Sequence, residues 1–170
     1  MVSSNKIEKS FLYKNTPIII LFISVLNEID FNSLGLQYFS FNFAYILIFY
    51  YSLKRESGIG YIYIFIAGLF NDVVNGLPMG ISSLCYLLLC AAAVYLRNIT
   101  LRPNIFKDWI FFLITISFLN CINFSFLILF FSYEINYFDQ ITNITFTFLL
   151  YLFFSYLFKI YDDIILSRIN

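Results

Sequence analysis

Six apolar blocks govern what this chain can fold into. They run over about residues 16–29, 36–53, 59–75, 81–96, 108–131 and 141–158. The longer ones reach the length at which a helix crosses about 30 Å of hydrocarbon. Between them lie short polar links such as KRESG and SYEINYFDQ. Only 12% of the 170 residues are charged and 61% are apolar, whereas soluble domains carry about 25% charged residues. The pattern predicts an all-α protein, a polytopic integral membrane bundle of six transmembrane helices. Residues 1–15 form an N-terminal segment, 16–158 the membrane domain and 159–170 a C-terminal tail. That tail is amphipathic enough to lie on a membrane surface, or it continues the sixth helix.

Charge sets the orientation. Six spans place both termini on one side. Lys6, Lys9, Lys14, Lys54, Arg55, Arg97, Arg102, Lys107, Lys159 and Arg168 are all ten cations, and all fall on that side. The other side holds Glu28, Asp30, Glu134 and Asp139. Cations gather on the cytoplasmic side of membrane proteins, so both termini are expected in the cytoplasm. The first block does not read as a cleaved signal peptide, because NEIDFNSLG follows it where a small-residue cleavage site belongs.

Several chemistries are disfavoured. There is no histidine, which removes the commonest metal ligand and the usual general base at neutral pH. No metal cluster, phosphate loop, catalytic triad or cofactor motif is visible, so neither an enzyme nor a cofactor or metal is expected. No basic stripe points to nucleic acid. Cys85, Cys90 and Cys121 all lie in apolar blocks and are expected to be buried thiols acting as small apolar residues. The acids Glu28, Asp30, Glu134 and Asp139 are expected as solvated loop residues. Trp109, beside Lys107, is expected as an interfacial anchor.

One stretch breaks the apolar pattern. GLFNDVVNGLPMG, residues 68–80, puts Asp72 inside the third block between Asn71 and Asn75. A carboxylate at that depth is unfavourable by a few kcal/mol or more. Gly68, Asp72 and Gly76 recur every fourth residue and so share one helix face. Small residues there let another helix approach closely. NGLPMG then breaks the helix, with Pro78 and Gly80 suited to a fixed turn. MGISS begins the next helix, whose free N–H groups and positive dipole end are candidates to face Asp72. Asp72 is then a fold-locking residue; a partner or ligand contact and a proton relay are the alternatives. Asn71 and Asn75 are candidate ligand or partner contacts.

The segment GLFNDVVNGLPMGISSLCYLL resembles the signature region of the rod shape-determining protein MreD family. Gly68, Asp72, Gly76, Pro78 and Gly80 match its glycine–aspartate–glycine–proline–glycine order and spacing. The preceding FAYILIFYYSLKRESGIGYIYIFIAGLF is similar to the family's apolar helix, short basic link and glycine–aspartate helix. The proline that members often carry near the start of the second span is absent from SFNFAY. The resemblance implies a multi-pass protein of the bacterial inner membrane. It implies a fold similar to the substrate-binding subunits of energy-coupling-factor transporters. It also implies a non-catalytic component of the cell-wall elongation complex that helps maintain cell shape. The implied partners are an MreC-like bitopic membrane protein and, through it, wall synthases and an actin-like filament protein, besides membrane lipid. The same fold supports an alternative function, a vitamin-binding membrane subunit of such a transporter, with Asn71, Asp72 and Asn75 lining its pocket. A lipid transferase using the outer acids is a third reading.

Overall fold

The computed structural model describes residues 15–26, 41–54, 59–100, 104–131 and 137–169, with side chains of the last helix to residue 165. The described residues form helices and turns and no strand. The helices are α1 (Asn15–Leu26), α2 (Phe43–Lys54), α3 (Tyr61–Val74), α4 (Ile81–Ile99), α5 (Ile105–Phe131) and α6 (Tyr137–Ile169). The fold is therefore all-α. Three helices, α4, α5 and α6, are long and apolar enough to cross a membrane. The other three are apolar but shorter. Residues 27–29 and 36–40 of the expected first and second spans lie outside the described residues, as do Lys6, Lys9, Lys14, Glu28, Asp30, Arg55, Arg102 and Glu134.

The short helix α2 is the axis of the bundle. Its sequence, FAYILIFYYSLK, is apolar all round, and every residue from Ala44 to Leu53 is buried. A helix with no polar face must be covered on all sides. Phe49 meets Phe112 of α5 and Tyr151 of α6, with ring centroids 4.9 and 5.7 Å apart. Tyr45 packs edge-on against Tyr86 of α4. Tyr50 and Tyr51 lie against Phe158 of α6. The polar groups of α2 are also met. Ser52 Oγ donates to Cys90 Sγ at 3.2 Å, and the Ser52 carbonyl accepts from Arg97 at 3.2 Å. At the opposite end the Asn42 N–H donates to Thr147 Oγ1 of α6 at 2.9 Å.

The outer helices run longer than their apolar blocks. α5 starts at Ile105 because Asn104 caps it, its Oδ1 accepting the Phe106 N–H at 3.1 Å. α6 has 33 residues, about 50 Å at 1.5 Å per residue, and runs to Ile169. The tail thus continues the sixth helix. α5 and α6 are joined by Trp109, which stacks on Phe148 at 4.3 Å and donates its indole N–H to the Phe148 carbonyl at 2.9 Å. That residue is a helix-to-helix bond as well as an aromatic at the end of a span. Cys85 and Cys90 are buried as expected, but Cys121 is exposed. It lies off the face of α5 that buries Ile116, Leu119 and Leu127.

The outer surface is apolar. Ile62, Phe118, Leu129, Phe130 and Met79 are among many large apolar side chains left exposed. Soluble monomers seldom expose such continuous apolar area. Together with the three long apolar helices, this surface is consistent with insertion in a membrane.

Candidate functional site

α3 and α4 form an antiparallel pair closed by the turn at residues 75–80. Gly68 and Ala67 are buried in their contact. At Gly68 the helices approach so closely that a β-carbon would lie 2.6 Å from the Ser83 backbone nitrogen, and closer still to its Cα. No side chain fits there. Ser83 uses the proximity, its Oγ donating to the Phe65 carbonyl of α3 at 3.1 Å. Asn71 Nδ2 donates to Ser82 Oγ at 3.0 Å. Two polar bonds and one backbone contact thus fix the register of the pair.

The turn itself needs glycine. Gly76 has φ +62° and Gly80 φ +104°, both positive, where L side chains are strained. Neither has anything within 4 Å of a would-be β-carbon, so the demand is purely on the backbone. Asn75 ends α3 with its N–H on the Asn71 carbonyl at 3.0 Å. The Ile81 N–H points to the Pro78 carbonyl at 3.5 Å.

Asp72 completes this turn. It is fully buried. Its Oδ2 accepts the Gly80 N–H at 2.7 Å and its Oδ1 accepts the Ser82 N–H at 2.9 Å. Its own carbonyl accepts the Leu77 N–H at 2.8 Å. A helix begins with four N–H groups that have no partner inside it. Asp72, eight residues before Gly80, caps α4 from the preceding helix and places its negative charge at the positive end of the α4 dipole. Charge-assisted hydrogen bonds of this length are the strong kind. Among the described residues no cation pairs with this carboxylate, and the two N–H donors explain how it is accommodated in an apolar surround.

All five motif residues meet here. Gly68 permits the close approach, Gly76 and Gly80 the turn, Pro78 its rigidity, and Asp72 the cap. Asn71 joins through Ser82, whereas Asn75 contributes its backbone at the end of α3. The two serines of MGISS act through more than the helix start, since Ser82 and Ser83 each bond across to α3. The geometry is that of a tightly packed hairpin. Among the described residues no group of three His, Cys, Asp or Glu side chains could hold a metal ion.

A second polar site was not legible in the sequence. Asp108, in the first turn of α5, is 4% exposed. Its Oδ2 lies 3.5 Å from the Lys54 Nζ, at the end of α2. Lys54 follows the second block and Asp108 opens the fifth, with two helices between them, so no local spacing links them. A cation in the last turn of α2 followed by an acid in the first turn of a later helix was the available signal.

The chain matches a protein-family model described as rod shape-determining protein MreD over residues 9–161. No curated protein and no solved structure matches it.

Proposed function

The chain belongs to the family of the rod shape-determining protein MreD, and from that premise we propose that it is a non-catalytic membrane component of the bacterial wall-elongation complex. Membership itself implies a role in rod shape determination. The finer reading is a six-span protein of the inner membrane, with both termini in the cytoplasm, that binds an MreC-like bitopic protein. Through that protein it connects to wall synthases and an actin-like filament. The observation that carries this reading is the family match over residues 9–161 of the 170-residue chain. The α3–α4 hairpin fits it, because its motif residues lock two helices together. On this account the hairpin presents a fixed shape, and recognition depends on that shape.

The test is depletion in the native cell followed by microscopy. Depleted cells are expected to lose cylindrical form and to swell or round. Wild-type protein should restore shape, and Gly68→Leu, made at equal membrane level, should not. Unchanged shape on depletion in a rod-shaped host would contradict the proposal.

A further inference from the structure

The C-terminal turns of α2 and α4 and the first turn of α5 meet at one end of the bundle. The bonds from Arg97 to the Ser52 carbonyl and from Lys54 to Asp108 show that meeting directly. The charges at this end are unequally displayed. Asp108 is buried and its charge is met by Lys54. Lys107, one residue earlier, is exposed and has no ion-pair partner among the described residues. Arg97 is half-buried, held at the rim by its bond to Ser52. Lys54 meets Asp108 and Arg97 meets the Ser52 carbonyl, while Lys107 faces outward.

The same rim exposes large apolar side chains. Tyr95, Ile99, Ile105 and Phe106 are 57–62% exposed. A cation next to an exposed aromatic ring suits a bilayer interface, where a phosphate layer lies against the start of the acyl chains. A soluble acidic partner would account for the cations and leave Ile99, Ile105 and Phe106 unexplained.

We propose that this end binds anionic lipid headgroups, with Lys107 toward the phosphates and Phe106, Ile105 and Ile99 in the adjoining acyl layer. The proposal rests on the reading above only in assigning those headgroups to the cytoplasmic leaflet. Each cation near an anionic surface contributes enough to change affinity about fivefold.

The test uses the full chain, purified in a non-ionic detergent and titrated with dioleoyl phosphatidylglycerol or dioleoyl phosphatidylcholine, with bound lipid counted by native mass spectrometry. Phosphatidylglycerol should bind more tightly. Lys107→Gln should weaken its binding about fivefold and leave phosphatidylcholine unaffected, while Lys107→Arg retains the preference. Asp139→Asn, on the first turn of α6, should change neither. Lys107 is exposed, so its variants keep the fold. Equal binding of the two lipids would overturn the proposal, as would an unaltered preference in Lys107→Gln. Full displacement of phosphatidylglycerol by soluble glycerophosphate would overturn it too, because the site would then be one for free phosphate. No wall component enters this measurement, so its failure leaves the role in shape determination standing, and the reverse also holds.

Discussion

Asp72 shows how backbone N–H groups accommodate an ionisable residue in an apolar bundle. Both of its oxygens are occupied by backbone N–H groups, at 2.7 and 2.9 Å. Asp72→Ala removes both acceptors and leaves the start of α4 uncapped, a loss of about 3 kcal/mol. Asp72→Asn keeps one acceptor but turns an NH2 toward the other N–H, so its loss should be smaller, about 1–2 kcal/mol. Thermal unfolding in detergent should rank them wild type, Asn, Ala; equal losses would mean that the charge itself is indispensable. The glycines allow a sharper comparison. Gly76→Asn should be nearly neutral, since asparagine tolerates a φ near +60°, whereas Gly80→Val should lose about 2 kcal/mol at φ +104°. A melting-temperature series would separate them. This site was largely legible in the sequence, because all its parts lie within a few turns of one another. GLP marked the turn, ISS marked the helix start, and four-residue spacing put Gly68 and Asp72 on one face. The pairings of Asn71 with Ser82 and of Ser83 with Phe65 were not legible, because they depend on how α3 rotates against α4.

Helix α2 is the element on which the bundle depends, and its restraints come from three different helices. The ion pair from Lys54 to Asp108 is one of them. Lys54→Met leaves Asp108 buried without its partner and should destabilise by about 2 kcal/mol. That is less than the roughly 3–5 kcal/mol for breaking a fully buried pair, because the Lys54 side chain is 34% exposed. The double variant Lys54→Met with Asp108→Leu should recover most of that loss, since an apolar pair of similar volume often replaces an ion pair without penalty. Unfolding of both variants side by side checks this; a double variant weaker than the single one would show that the charges do more than neutralise each other. At this scale the sequence was a partial guide. Apolar blocks located the helices, but the blocks ended where hydropathy changed and the helices did not. α6 contains no glycine or proline from Tyr137 to Ile169, so nothing stops it where Lys159 ends the apolar run. Cys121 was expected inside because it lies in an apolar block. α5 is apolar around most of its circumference, so hydropathy could not tell its inner face from its outer one.

At the scale of the whole molecule, the cations Lys54 and Arg97 both converge on the end of α2. Lys107 adjoins Asp108 at the same end. The α3–α4 turn with Asp72 lies at the other end of α4. This arrangement suits the proposed orientation. In a variant lacking Cys85, Cys90 and Cys121, Lys107→Cys should react with a membrane-impermeant thiol reagent only from the cytoplasmic side, and Asp139→Cys only from the outside. Labelling of both from one side would break the six-span topology. The sequence sets the expected orientation through its ten cations, since charge placement follows the number of spans and needs no tertiary detail. It could not reveal that one buried acid is neutralised at that same end, because the partner comes from a distant helix.

On the proposed reading, the α3–α4 hairpin gives this protein a fixed shape that a wall-elongation partner recognises. Cross-linking in native membranes, followed by affinity recovery and mass spectrometry, tests it most directly. The account predicts recovery of an MreC-like bitopic protein and wall-synthesis proteins with the wild type, and loss of both with Gly68→Leu at equal expression. Recovery of the ATPase and coupling subunits of a transporter in their place would contradict it, and would make the same hairpin the wall of a ligand pocket.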